Sequence, residues 1–337
     1  MLSSADITTK NFEGALIALK DKKDTYSKET YQKVALYRGI QLFNEGSLDK
    51  AKEHFDLAIN ESRDNTIAAR SVFWKSESDY LLNNFNDALE GFQQFDAMSK
   101  SDTLKESITI DYNIAYAYFK LKDYNKAGEK FLAFLNSNPI DNEISNDSQL
   151  RLGDSYFVSS DYNSAIKAYN KVIDSKGIDR DYAHFQRAIS YGVIGKNNDK
   201  IVDLTRFLGE HSKSPLMDDA YYELGNSYVR ADKNDEALET FDNLLKYYKR
   251  SSYVPKALLN QGLIYYNTER DNQALDKYRQ VVNEFSNTDE AKQAVANARQ
   301  IYVDLGRVDE YADWVKDISF VNVTDADLDN DMYESAE

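Results

Sequence analysis

Tyr221-Tyr222-Glu223-Leu224-Gly225-Asn226-Ser227-Tyr228 is followed nine residues on by Ala237 and, one helical turn later, by Phe241. Leu258, Gly262, Tyr265, Ala274 and Tyr278 repeat the arrangement: Gly225 to Gly262 and Ala237 to Ala274 are both intervals of 37. The two copies in residues 215–285 set a pattern for the whole chain. Ala15 precedes Leu19, Ala51 precedes Phe55, Ala88 precedes Phe92, Ala127 precedes Phe131 and Ala165 precedes Tyr169. Successive intervals are 36, 37, 39 and 38, then 72, then 37. The 72 is two periods, so a copy is predicted over 181–208, with Ala188, Tyr191, Leu204 and Phe207 in register and Lys200 in the small-residue place. An eighth copy over 290–315 puts Tyr311 there.

A second small residue stands twelve positions before each marker: Gly39, Ser76, Ala115, Gly153, Ala188, Gly225 and Gly262. Two antiparallel helices that cross closely need small residues where their backbones approach. The aromatic one turn after the marker shares its face and fills the space beside the crossing. Short polar segments such as Lys122-Asp123-Tyr124-Asn125 and Asp232-Lys233-Asn234 separate the two helices of a copy. Asn136-Ser137-Asn138-Pro139, Ser212-Lys213-Ser214-Pro215 and Ser251-Ser252 separate one copy from the next. A period of this length is the signature of a stacked helical array, in which each copy buries its apolar face on its neighbours.

Leu152-Gly153 with Tyr156, Ala165, Tyr169 and Val172 resembles the tetratricopeptide repeat, as do Leu224-Gly225 with Tyr228, Ala237 and Phe241. Pro139 sits where that family places its closing proline. The family's first-helix tryptophan is absent: Asp111, Gln149, Tyr221 and Leu258 hold its place, and Asp79 replaces the usual aromatic of the second copy. The resemblance implies an all-α, right-handed superhelical solenoid of about eight antiparallel helix pairs. The expected organisation is an incomplete N-terminal repeat over 1–28, a solenoid over 29–316, and an acidic linker over 317–337. In this reading, residues 11–16 form a second helix without a first, and Tyr333 begins a new helix as the chain stops, so a longer array is expected.

Composition narrows the function. A net charge of −16 disfavours nucleic acid and anionic membrane surfaces. There is no cysteine for disulfides or thiol chemistry. No apolar run approaches the about 20 residues of a membrane helix. Phosphate-cradling glycine loops and zinc-protease motifs do not occur, and His54, His184 and His211 fall in different copies without a shared motif. Asp325, Asp327 and Asp329 mimic the first ligands of a calcium loop, but Asn330 holds its glycine place and Ala336 its glutamate place. A solvated acidic joint is the expectation there. No catalytic, cofactor or metal site is expected, and the chain reads as a non-enzyme.

In the resembled family the first helices line a concave groove that holds peptides or partner helices. Mapped here, the groove candidates are Tyr112, Tyr116, Phe119, Asp154 and Phe157, read as a partly exposed aromatic patch with an acidic rim, together with Tyr222 and Asn226. Tyrosine suits such a surface because it supplies area with a polar tip. The same rings could equally pack between neighbouring first helices. Asn226 and Lys256 are the remnants of a carboxylate clamp, too few for one. The charge points to a basic or mixed protein partner, as a peptide segment or a helix.

Residues 214–225 resemble the repeat subclass of bacterial cell-envelope proteins. That resemblance implies a non-catalytic scaffold of a periplasmic or outer-membrane-associated complex. A cell-wall or polysaccharide-binding module and a cytoplasmic co-chaperone adaptor are the alternatives.

Overall fold

The computed structural model describes residues 11–61, 63–99, 104–137, 139, 142–175, 177, 179–322 and 324–336. Residues 1–10 and Asn138 of one expected breaker lie outside the described residues, as does the side chain of Asp325. Every regular element among the described residues is helical, and the helices follow one another as antiparallel pairs: an all-α helical-repeat solenoid.

Contacts divide the chain into two compact units, Met1–Arg180 and Asp181–Glu337. The first holds α1 (Phe12–Leu19), α2 (Thr25–Asn44), α3 (Leu48–Glu61), α4 (Asn65–Leu81), α5 (Phe85–Ser99), α6 (Ile110–Lys120), α7 (Tyr124–Asn136), α8 (Asn142–Val158) and α9 (Tyr162–Ser175). The second holds α10 (Arg180–Val193), α11 (Asn197–Glu210), α12 (Met217–Arg230), α13 (Asn234–Tyr247), α14 (Val254–Asn267), α15 (Asp271–Glu284), α16 (Asp289–Asp304), α17 (Val308–Val315) and α18 (Asp325–Ala336). The copy hidden behind Lys200 is therefore a complete pair, α10 and α11.

Helix starts are chemical: Asp24, Asp64 and Asp123 each accept a backbone N–H of the first turn. Helix ends follow a rule that the residue types conceal. The first helix of every pair closes on a left-handed residue: Gly46, Asn83, Lys122 and Ser160 in the first unit, Gly195, Asp232, Glu269 and Gly306 in the second. Behind Lys122, its own N–H donates to the Phe119 carbonyl and the Asp123 N–H to that of Tyr118, both at 3.0 Å. This pairing satisfies carbonyls that the helix end would otherwise leave bare.

Four of the pairs are locked by one recurring contact. A Cβ placed on Gly225 would lie 2.4 Å from the Phe241 ring, and one on Gly262 the same distance from Tyr278. Gly39 meets Phe55, and Gly153 meets Tyr169, in the same way. The aromatic thus lies directly on the small residue rather than beside the crossing, and all four rings are wholly buried.

Departures from the pattern are compensated nearby. Lys200, in the small-residue place, lays its stem against Gly192, where a Cβ would come 2.8 Å from its Cδ. Its ammonium leaves the pair to meet Glu223 of α12 at 2.5 Å. Asp79, in an aromatic place and only 4 % exposed, is paired with Lys52.

At the far end, α18 starts at Asp325, eight residues before the expected helix start at Tyr333. It packs on α16 and α17, and Asp331 is buried against the guanidinium of Arg299, which donates to it from Nε at 2.8 Å. The expected solvated acidic stretch is thus largely a docked helix, held by one charge-assisted pair. A calcium loop would need this stretch on a tight turn rather than on a helix.

Two outcomes follow from these contacts. Gly225→Ala is expected to lose about 1–3 kcal/mol of stability, with Gly225→Leu worse, because the Phe241 ring has no room to withdraw. Lys122→Gly is expected to gain up to about 1 kcal/mol, since it removes left-handed strain and leaves the closing hydrogen bonds intact. Urea melts of the variants check both.

Candidate functional site

In the first unit, α4, α5 and α6 enclose a cleft of about 170 Å³ lined by Glu77, Tyr80, Phe92, Tyr112, Asn113 and Tyr116. Glu77 and Tyr80 lie one turn apart on α4; Tyr112, Asn113 and Tyr116 form the facing turn of α6. Phe92 closes the base from α5, 1 % exposed.

The two tyrosines of α6 are fixed by the next first helix. The hydroxyls of Tyr112 and Tyr116 both donate to Asp147 Oδ2 of α8, at 3.0 and 2.5 Å. Their rings meet edge to face at 4.9 Å, and Tyr80 meets Tyr116 at 6.5 Å and 82°. Arg151, one turn beyond Asp147, donates from Nε to the Tyr116 hydroxyl at 3.3 Å and from Nη1 to Asp154 at 2.8 Å. Hydroxyls committed in this way leave ring faces as the tyrosines' contribution to the cleft. Burial pushes the Tyr80 hydroxyl up to about 12, helped by the charges of Glu77 and Asp147, and pushes Tyr112 and Tyr116 higher still. All three remain neutral.

Glu77 is the unusual group. Desolvation pushes its carboxyl up to about 7, against a lowering hydrogen bond donated by Asn113 Nδ2. The Asn113 Oδ1 atom is buried without a hydrogen-bond partner among the described residues. The cleft therefore presents two oxygen acceptors and the faces of tyrosine rings. Arg151 is paired with both Asp147 and Asp154, so the surroundings are net acidic even before Glu77 ionises, and more so once it does.

The structure sorts the sequence candidates. Tyr112 and Tyr116 meet in the cleft. Asp154 does not form an acidic rim: it is 7 % exposed and saturated by Arg151 and by the Tyr169 hydroxyl, which donates at 2.9 Å. Phe119 and Phe157 pack across their own helix turns, on Tyr124 at 5.2 Å and Tyr162 at 5.4 Å, as Tyr80 does on Phe85. Tyr222 and Asn226 belong to the second unit. There Tyr222 stacks on Tyr253 at 4.5 Å, and Asn226 accepts from Asn260 at 2.8 Å. Lys256 sits over the ring of Tyr253, the residue that starts its own helix, so of the two remnants of a carboxylate clamp Asn226 is engaged between helices and Lys256 within one.

Sequence reasoning missed Asn113, Asp147 and Arg151, and did not single out Glu77 or Tyr80. Their signal is a polar partner about one period away: Glu77 with Asn113, Tyr112 with Asp147, Asn226 with Asn260. The histidines also need correction. His184 is wholly buried, and its Nδ1 lies 3.2 Å from Nε2 of His211. Antiparallel pairing joins the start of α10 to the end of α11, 27 residues later.

Tetratricopeptide-repeat family models match residues 112–141, 147–175 and 222–294. No curated protein matches the sequence. Among solved structures, the C-terminal part of a repeat-containing protein from Cytophaga hutchinsonii superposes with a TM-score of 0.60 at 13 % identity, covering 77 % of this chain and 98 % of that one. The apo form of RapI gives 0.58 at 14 % identity, covering 99 % and 94 %. At these identities the likeness is one of fold.

Glu77 sets a pH dependence. Its folded value lies above the ordinary 4.5. The folded state therefore holds the proton more tightly, and that stabilisation is complete below about 4.5 and lost as pH rises through about 7. Glu77→Gln is expected to flatten this slope and to raise stability at pH 8 by about 1–3 kcal/mol. Thermal melts of both proteins from pH 5 to 8 check it.

Proposed function

Taking the chain as the tetratricopeptide-repeat protein that its matched segments make it, we propose that it is a non-catalytic scaffold that binds other proteins. Its first unit would take a basic side chain of a partner segment into the cleft between Glu77 and the tyrosines. The observation that carries this reading is the pairing of a desolvated carboxylate and an unpartnered carbonyl oxygen with the faces of Tyr80, Tyr112 and Tyr116. An ammonium ion suits all of these at once. It neutralises Glu77, donates to Asn113 Oδ1, and is attracted by aromatic faces within about 6 Å. The net charge of −16 draws such a segment in from a distance.

Lysine is favoured over arginine here. The cleft is compact and offers two acceptors at its wall rather than the planar bidentate partner that a guanidinium matches. The tyrosine faces would also stack on sugar rings, which keeps a cell-wall or polysaccharide ligand as the competing reading. A clamp for a carboxylate terminus is opposed by the acidic surroundings. The finer reading, a scaffold within a bacterial envelope complex, is supported by the resemblance of residues 214–225. No described helix is long and apolar enough to cross a membrane.

Calorimetric titration with short peptides tests the proposal. A lysine-containing peptide should bind more tightly at pH 8 than at pH 6, because Glu77 is then ionised. Glu77→Gln should weaken that peptide at least tenfold while keeping the fold. Equal binding of lysine and glutamate peptides, or no effect of Glu77→Gln, would overturn it. Retention on insoluble cell wall that Glu77→Gln leaves intact would favour the polysaccharide reading.

A further inference from the structure

We infer that His184, Glu210 and His211 form a site for a divalent transition-metal ion of the zinc type. Candidate ligand atoms of these three side chains lie within 4.8 Å of one another. The two imidazole nitrogens that face each other, Nδ1 of His184 and Nε2 of His211, are 3.2 Å apart. Two nitrogens bound to one tetrahedral zinc at about 2.0–2.1 Å would be roughly 3.3 Å apart. The two nitrogens are thus already as far apart as a ligand pair, and binding requires that the proton of the hydrogen bond between them be displaced.

The other side of His184 is prepared in the way metal-binding histidines are. Its Nε2 lies 3.0 Å from Asp203 Oδ1, and Asp203 is ion-paired with Arg187, whose Nε donates to it at 2.8 Å. An ionised carboxylate only accepts, so His184 Nε2 carries the proton and Nδ1 presents its lone pair toward His211. A carboxylate behind a ligating imidazole fixes tautomer and ring orientation and strengthens the ligand. Phe207 packs against both rings, 6.0 Å from His184 and 5.1 Å from His211, and holds them at 84° to one another.

Access is one-sided. His184 is wholly buried, His211 is half-buried and Glu210 is exposed. An ion would enter from the Glu210 side, take three protein ligands and keep a fourth position for water. Nitrogen ligands select zinc-type ions over magnesium and calcium, which take oxygen. Arg187 cancels Asp203, and Glu210 offsets half of a divalent ion's charge. Without metal, the hydrogen bond between the two rings occupies the same space. Binding would tie the end of α11 to the start of α10. This site stands apart from the protein-binding reading and does not rest on it.

The full chain, stripped with chelator, is titrated with Zn²⁺ alone, with Mg²⁺ as control, and Co²⁺ serves as an absorbing reporter. One equivalent of Zn²⁺ should bind and raise the melting temperature, and Co²⁺ should give visible ligand-field bands. Because His184 is buried and its replacement can unfold the pair, the deciding variants are His211→Gln and Glu210→Gln. The first should weaken Zn²⁺ on the order of 100-fold and abolish the Co²⁺ bands; the second should weaken Zn²⁺ about tenfold. Circular dichroism confirms that each is folded. No Zn²⁺ binding by the wild-type chain, or equal binding by wild type and His211→Gln, overturns the assignment.

Discussion

An aromatic ring of one helix pressed onto a glycine of its partner sets the geometry of four of the helix pairs. Where the small residue is glycine, the ring edge occupies the volume a methyl group would fill. The two helices are then held at a separation that neither can reduce or relax. From that fixed crossing the rest follows: which faces turn inward, where the turn must close, and which side chains meet those of the next pair. In this chain the contact is repeated with Phe55, Tyr169, Phe241 and Tyr278, and the small partner drifts to serine at Ser76 and alanine at Ala115.

Most of this architecture was legible in the sequence because it is written in residue size at fixed intervals. Gly225 with Phe241 and Gly262 with Tyr278 announce themselves, and the doubled interval around Lys200 implied a pair that the structure contains. The helix-closing turns were less legible. A left-handed residue ends each first helix, but lysine, serine, aspartate and glutamate occupy it as readily as glycine, so composition conceals a strict backbone period. Position rather than residue type carries that information.

The candidate site was half legible. Tyr112 and Tyr116 could be named as groove residues, yet the cleft they line depends on Glu77 and Asn113, one period apart on neighbouring first helices. Nothing in a single copy marks such a pair. Asp154 misled because an acidic residue in a variable position reads as surface, whereas Arg151 and Tyr169 draw it inward. Phe119 and Phe157 each meet an aromatic partner five residues later, across the turn that follows, a spacing that belongs to neither helix nor strand. The histidine pair was invisible for the same reason, since only antiparallel packing brings residue 211 back to residue 184.

The contacts of a repeat thus fall into two kinds with different reach. The glycine–aromatic lock is settled within one pair, whereas Glu77 with Asn113, Lys52 with Asp79 and Lys200 with Glu223 each join one pair to its successor. A recombination event that moved a whole repeat would carry the first kind intact and strand the second. Lys200 makes the point most sharply. Its buried stem travels with Gly192, but its charge needs the glutamate of the repeat that follows. The array is therefore modular in shape and ordered in charge, and its repeats can be duplicated more readily than shuffled.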